Sequence, residues 1–565
     1  MPLLSRRTFF AGSAGLALTP ALAVAESIES LIPKYGADPG DWLADALEKC
    51  KAKYGIPGMA AAVMLNGQVV LEKVVGIRKA GTAEQLVPTD AMQMGSISKP
   101  FTGALAGVMI DKGLVKWGTT ILDVFPDIAS EMRPEYRKVD FLLLLSHLSG
   151  MPYMPSKEPG DLLSKDFPDP VKGRAEYVRL AVMDPPTAPL GTKTIYGGGS
   201  IIAAAMIERI AGKPFEALIK EHIFGPLKMT TATLARVGET PPGLVWQHRY
   251  RDGVAEPFAG VGWAPGTVGY VHGPAGGVCC SAADLLRFAR AFFEGNPILS
   301  SETRRVLTTP VKRMQFCPGW GSQFHKPGDV EVEHSGSNGS NWATFMVSPT
   351  RRSAFAVCAN AQPENNFLVD INERLRSNML SNSLNSAHLF DEMDLTQLEG
   401  GITVEFWQCV DSARPQFAFV VDPDDSRNRL SAHTPYEDGR VYFDFGDTEK
   451  GGRCVFTPSD SILNRWIHFA MVADVSNNAM GIYMNGKLEY VRQGVSHIRP
   501  AKYRMKVGAS SLPCTGPIAG FRVWNFPRSR QNIQRDFGKR LAGDTKGIIG
   551  SWVGAWSEMV ASPKH

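Results

Sequence analysis

Between Asn378 and Ala387 the chain is rich in serine and asparagine, and its hydrophobic period changes across that stretch. Beyond it, Ile402, Val404 and Phe406 alternate with Thr403, Glu405 and Trp407, and Ile467, Phe469 and Met471 repeat the same spacing. Asn485-Gly486 then separates two further apolar runs in the manner of a two-residue hairpin. Before the stretch, helix-spaced and strand-spaced runs are mixed. A chain of 565 residues is too long for one ordinary core. The two patterns therefore predict an α+β unit, an antiparallel sheet flanked by helices, followed through a linker by an all-β two-sheet sandwich.

The first half opens with an amphipathic helix over Asp41 to Tyr54, carrying Leu43, Leu47 and Cys50 at helical spacing. Met59 to Leu65 and Gln68 to Val75 follow as two strands joined by Asn66-Gly67. Its chemistry centres on Gly95-Ser96-Ile97-Ser98-Lys99-Pro100, between an extended Met92 to Met94 and an apolar helix over Phe101 to Lys112. With Ser96 in the first turn of that helix, Lys99 falls on the same face. A lysine amine kept neutral by burial and neighbouring cations can take the proton of a serine hydroxyl. S-x-x-K alone is a weak pattern, which an N-cap serine followed by an exposed lysine also satisfies.

Further polar stretches follow in order. Val139 to Leu145 is apolar and closes on Ser146-His147-Leu148-Ser149-Gly150-Met151-Pro152, where His147 is either a base or a residue that fixes the turn. Tyr196-Gly197-Gly198-Gly199 precedes a helix, and Gly273-Pro274-Ala275-Gly276-Gly277 precedes another over Ser281 to Phe293. His334-Ser335-Gly336-Ser337 leads into two strands, Trp342 to Val347 and Ser353 to Cys358. A strand edge of this kind can offer a backbone NH to an oxyanion. A packed tyrosine and a polar strand end are the plainer readings.

Taken in order, Ser96-x-x-Lys99, the L-L-S-H-L-S-G-M-P stretch, Tyr196-Gly197-Gly198, Pro226-Leu227-Lys228-Met229, Gly276-Gly277 and His334-Ser335-Gly336 resemble the serine β-lactamase and penicillin-binding superfamily. The likeness spans residues 38–375 and is to the branch of class C β-lactamases, D-alanyl-D-alanine carboxypeptidases, D-aminopeptidases and family VIII carboxylesterases. It implies Ser96 as acyl-accepting nucleophile, Lys99 as its proton partner and Tyr196 as proton relay to the leaving group. The NH groups of Ser96 and Ser337 would form the oxyanion hole, with Gly198, His334 and Gly336 at the substrate. Whether Lys99 or Tyr196 is the base stays open. Two positions depart from the β-lactamase pattern: Gly198 replaces the asparagine of Y-x-N, and His334 the lysine of K-T-G. Both count against β-lactam turnover, and an asparagine restored at 198 is expected to raise it. An α/β-hydrolase would need a G-x-S-x-G elbow, which the sequence lacks.

In the second half, Ile402 to Trp407, Trp466 to Phe469, Tyr483 to Lys487 and Gly520 to Asn525 resemble the laminin-G-like, concanavalin-type jelly roll over residues 388–558, with residues 376–387 as linker. Such a domain implies glycan or polymer contact, or a rigid wall for the cleft. The aromatic content around Phe406, Trp407 and Trp524 and the short linker favour the wall. Asp422, Asp424 and Asp425 are either calcium ligands or a solvated acidic turn.

Residues 1–25, with Arg6-Arg7 before a mild apolar run and a small-residue cleavage site at Ala25, resemble a bacterial twin-arginine signal. That address implies a periplasmic or secreted protein with no stable membrane span after cleavage. Export in the folded state implies a core formed without disulfides, and each half holds an odd number of the eight cysteines. Removing Arg6 and Arg7 leaves 58 basic against 56 acidic residues, and the absence of any basic run excludes nucleic acid as a partner. No C-x-x-C or H-E-x-x-H occurs, so neither a metal nor a cofactor is expected. The sequence reads as an exported serine hydrolase acting on a small-molecule or peptide substrate, with D-residue or cell-wall-like amides ahead of esters. An acylatable binding or sensor protein that does not turn over is the alternative of another class.

Overall fold

The computed structural model describes residues 41–156, 169–235, 245–258, 270–311, 316–322, 330–363, 367–381, 387–413, 415–421, 425–508, 516–539, 541, 545–555 and 559. The leader, Asp422, Asp424 and Cys514 lie outside them.

The first half is built on an antiparallel sheet whose seven strands run in the order 68–76, 58–65, 353–359, 342–348, 332–337, 320–322, 316–317. The hairpin over Asn66-Gly67 turns through two positive-φ residues, at φ 50° and 79°, as the sequence predicts. Strand Gly58–Leu65 is buried along its whole length because both sheet faces are covered. Ala60, Ala62 and Met64 join the large core in front. Met59, Ala61, Val63 and Leu65 join a second core behind, with Leu43 and Leu47 of helix Asp41–Tyr54 and Ile371, Leu375 and Met379 of helix Val369–Ser381. Strand Ser353–Ala359 divides in the same way, Ala354, Ala356 and Cys358 facing front and Phe355, Val357 and Ala359 facing back.

Helix Ser98–Asp111 runs through the front core and is buried from Ser98 to Met109, as befits a helix apolar on every side. Phe101 stacks on Phe288 at 3.7 Å, locking it to helix Ala282–Ala289. The apolar run at Phe141–Leu145 is a short helix, N-capped by Asp140, whose side chain accepts from the Leu143 NH at 2.9 Å. Helices Pro170–Met183 and Gly199–Ala211 complete the layer. They are joined by Arg174, fully buried, which forks onto Glu208 (2.6 Å) and reaches Glu216 (2.9 Å). Removing one partner of such a buried pair costs about 3–5 kcal/mol, so this joint fixes how the two helices meet.

The second half is a sandwich of two six-stranded antiparallel sheets, in orders 388–394, 502–507, 419–421, 429–433, 441–446, 453–456 and 487–493, 479–484, 466–474, 401–409, 518–524, 548–554. Ile402, Val404 and Phe406 point into its core, and Asn485-Gly486 turns the expected hairpin. Asp425, of the acidic turn, is ion-paired with Arg499. Among the described residues no helix is long and apolar enough to cross a membrane.

Two expectations change. The serine- and asparagine-rich stretch is still helical to Ser381, because Leu375 and Met379 belong to a helix packed on the back of the sheet. The wall reading also loses its support. Of the aromatic residues that argued for it, Phe406 points into the sandwich core, and Trp407 and Trp524 are buried within the same half, where helix Arg530–Asp536 and its flanks cover the outer face of one sheet. Trp407 donates to the Phe537 carbonyl at 3.0 Å, and Trp524 to the buried Glu405 at 3.0 Å, which Arg528 also binds. The described ion pairs between the halves lie away from the front core: Lys506 with Glu373 (2.7 Å) and Asp370 (3.1 Å), Arg504 with Asp370, and Arg351 with Asp411 (2.9 Å). Asp370 and Glu373 stand on the helix that covers the back of the sheet.

Ending the chain between Ser381 and Ala387 separates those ion pairs with both partners returning to water, which costs little. The first half is expected to stay soluble and, if it carries the hydrolase activity that the sequence resemblance implies, to keep its rate on a small chromogenic ester. A folded truncation, by circular dichroism, with a strongly reduced rate would show that the jelly roll completes the cleft after all.

Candidate active site

Strand Met92–Gln93 pairs with Cys279 and Cys280 and delivers the chain into a 3₁₀ turn, Gly95–Ile97, before the helix begins at Ser98. Ser96 thus precedes the α-helix rather than occupying its first turn. Gly95 has φ +52°, and a Cβ on it would fall 2.5 Å from the Ser337 nitrogen. A Cβ on Gly336 would fall 1.9 Å from the Met94 carbonyl oxygen. Two glycines therefore let the C-terminal part of strand Val332–Ser337, beyond its short pairing with 320–322, press against the turn that carries Ser96. The Ser96 and Ser337 backbones become neighbours through that contact.

Lys99 is buried, and its Nζ lies 3.0 Å from Ser96 Oγ, 3.0 Å from the Ala275 carbonyl oxygen and 4.8 Å from the centre of the Tyr196 ring. Among the described residues no carboxylate pairs with it. The glycine-rich loop 273–277 supplies the fixed carbonyl, and two residues of the nucleophile helix hold that loop. Thr102 Oγ1 donates to the Pro274 carbonyl at 2.7 Å, and Ser98 Oγ accepts from the Val278 NH at 2.9 Å. Sequence reasoning picked out the loop but not Ser98 and Thr102, whose spacing of four on a buried helix was the available signal.

Tyr196 is half-buried between His147, with ring centres 4.5 Å apart, and His334, at 6.4 Å. His147 sits in the left-handed region at φ +58° and serves the tyrosine turn. Its carbonyl accepts from the Ile195 NH at 2.8 Å, and its Nδ1 accepts from the Gly197 NH at 3.4 Å. Burial, with the Lys99 charge behind it, holds its pKa well below the ordinary histidine range. His334 Nδ1 lies 2.6 Å from the Ser335 carbonyl oxygen, which assigns the ring proton to Nδ1 and leaves Nε2 a buried acceptor without a partner. Burial and Lys99 push His334 down to about 3. Both histidines are neutral at neutral pH, and no second cation stands among the groups described beside Lys99.

Gly198 is closed off from below. A Cβ there would lie 2.0 Å from the Tyr177 hydroxyl and 2.8 Å from its ring carbon, and Tyr177 is itself buried, edge-on to His272 at 5.7 Å. An asparagine side chain at 198 has no room to grow. That contact stands against the expectation that restoring it raises β-lactam turnover. The six remaining site residues named from sequence, Ser96, Lys99, Tyr196, His334, Gly336 and Ser337, all lie around the turn and strand Val332–Ser337.

A serine held at hydrogen-bond distance by a buried lysine three residues on, against a strand edge that offers a backbone NH, defines a serine hydrolase with the fold of β-lactamases and transpeptidases. The chain belongs to the Beta-lactamase family, whose model matches residues 43–378, and a second model, of the Concanavalin A-like lectin/glucanases superfamily, matches residues 383–534. Penicillin-binding protein 4 of Amycolatopsis lactamdurans is 23% identical over 369 residues, 59% of this chain and 88% of that protein. A β-lactamase of Escherichia coli K12 is 25% identical over 201 residues, and the match spans about half of that relative, 49% of its length and 35% of this chain. The crystal structure of SurE superposes with a TM-score of 0.50 at 17% identity, covering 86% of this chain and 97% of that one, a likeness of fold.

Gly198→Asn is expected to destabilise the protein by about 1–3 kcal/mol, the usual range for overpacking, and to leave nitrocefin turnover no higher than wild type. Shrinking the obstacle with Tyr177→Ala in the same chain should recover part of the lost melting temperature. A Gly198→Asn protein as stable as wild type and faster on nitrocefin would show that Tyr177 yields freely.

Proposed function

We propose that this protein is an exported hydrolase that cleaves an amide or peptide bond through an acyl-enzyme on Ser96. The observation that carries the reading is the 3.0 Å contact between Lys99 Nζ and Ser96 Oγ, in a site where both neighbouring histidines are neutral. Ser96 Oγ attacks the substrate carbonyl carbon as its proton passes into the Lys99 and Tyr196 pair. The carbonyl oxygen, now negative, sits between the NH groups of Ser96 and Ser337. Tyr196 hands a proton to the leaving nitrogen, the C–N bond breaks, and the acyl group stays on Ser96. Water then attacks the ester, its proton returning through the same pair, and the acid is released.

Peptide-like substrates, of the D-residue or cell-wall kind, are favoured by the likeness to a penicillin-binding protein and by a leader of twin-arginine type, which addresses the chain to the periplasm or outside. A carboxylesterase of the family VIII kind is the second reading, favoured by Gly198, which offers no side-chain amide to an acylamide. The jelly roll serves as a recruitment module for a glycan or polymer, its described contacts lying away from the nucleophile.

Purified protein offered D- and L-aminoacyl p-nitroanilides, p-nitrophenyl esters and nitrocefin should hydrolyse the first or second group far faster than nitrocefin. Ser96→Ala should lower every rate at least about a thousandfold. Efficient nitrocefin hydrolysis by wild type, or a Ser96→Ala protein above that level, would refute the reading.

A further inference from the structure

Arg249 lies on the short hairpin His248–Arg251 and Val254–Pro257, outside everything assigned above. Its guanidinium lies over the Phe258 ring, 3.8 Å from the ring centre, and its Nε donates to the buried Ser340 Oγ at 3.3 Å. Nη2 is buried with no acceptor. Among the described residues no carboxylate pairs with Arg249, for Glu256, opposite it in register, pairs with Arg251 at 3.5 Å. A half-buried guanidinium resting over an aromatic ring, with a buried Nη2 that no described acceptor meets, is suited to a carboxylate that reaches it.

The surroundings tie this cation to the reactive serine. Ser340 stands three residues beyond Ser337, so their alpha carbons are at most roughly 11 Å apart. Asn338 clamps the intervening turn, its Oδ1 accepting from the Ser340 NH (3.0 Å) and the Asn341 NH (2.7 Å). Its Nδ2 donates to Gln247 Oε1 at 2.8 Å, two residues before Arg249, and to Gln93, three residues before Ser96. Direction follows from the strand. Tyr196, which protonates the leaving group, lies beside His334, three residues before Ser337, whereas Arg249 lies at Ser340, three residues after it. The acyl chain therefore runs from Ser96 toward Arg249.

We propose that Arg249 is the subsite for a carboxylate carried on the acyl side of the substrate, away from the bond that Ser96 attacks. The inference rests on the hydrolase reading and adds to it the class of substrate: acyl groups with a distal acid in place of neutral ones.

The test uses the full chain and p-nitrophenyl monoesters of straight dicarboxylic acids, from glutarate to sebacate, beside neutral esters of matched length. Wild type should prefer the acidic ester at one chain length, and raising salt should erode that preference by screening. In Arg249→Gln the ratio of kcat/KM for acidic over neutral ester should fall about tenfold or more, and Arg249→Lys should keep part of it. No preference for the acid at any length, a preference unmoved by salt, or an unchanged ratio in Arg249→Gln would overturn the assignment. The salt response needs no variant, so it decides the matter even if Arg249→Gln fails to fold. Neutral-ester hydrolysis that survives in Ser96→Ala would instead refute the hydrolase reading, whatever the ratios.

Discussion

The site depends on one close approach, the end of strand Val332–Ser337 lying directly against the turn Gly95–Ile97. Neither backbone could come so near with a side chain at Gly95 or Gly336, since each Cβ would land within 2.5 Å of the other segment. That contact brings the Ser337 backbone beside the turn that carries Ser96, and it is backed on both sides. The strand is bonded into the seven-stranded sheet, and the turn leads into the most buried helix of the front core. In the proposed reaction, flexibility in either would separate the two NH groups from the oxygen they would stabilise, where a misplacement of about 1 Å is costly.

Electrostatics builds on that frame. A buried lysine is costly unless something accepts its hydrogen bonds, and here Ser96 Oγ and the Ala275 carbonyl do so while the Tyr196 ring lies 4.8 Å away. His147 and His334, which would repel it if charged, are kept neutral by burial and by the lysine itself. Each is tied to the backbone, His147 to the tyrosine turn and His334 to the next carbonyl of its own strand. The histidines flank Tyr196 on both sides, and in the proposed reaction the proton traffic is left to Ser96, Lys99 and Tyr196.

Much of this was legible in the sequence because local patterns carry it. Asn66-Gly67 and Asn485-Gly486 dictate hairpins by backbone preference alone, and the alternation at Ile402 to Trp407 fixes which residues enter the sandwich core. S-x-x-K and H-S-G-S place their residues by spacing. What stayed hidden depends on partners far apart in the chain. Tyr177 blocks position 198 from another helix, Thr102 and Ser98 reach a loop more than 170 residues away, and the tryptophans that suggested a surface for the cleft are covered by a helix near the C-terminus. The helix running to Ser381 was missed because polar composition marks loops only where no apolar face is being buried, and Leu375 and Met379 bury one. Arg249 gives no signal in sequence, since an arginine on a hairpin is ordinary until it is seen that no described carboxylate pairs with it.

The most direct test of the central claim is to trap the acyl group. Purified protein treated with a fluorophosphonate or a slowly released ester, digested and mapped by mass spectrometry, should carry one covalent adduct, on the peptide containing Ser96, and Lys99→Ala should form it far more slowly. An adduct on another residue, or labelling that persists in Ser96→Ala, would contradict the account.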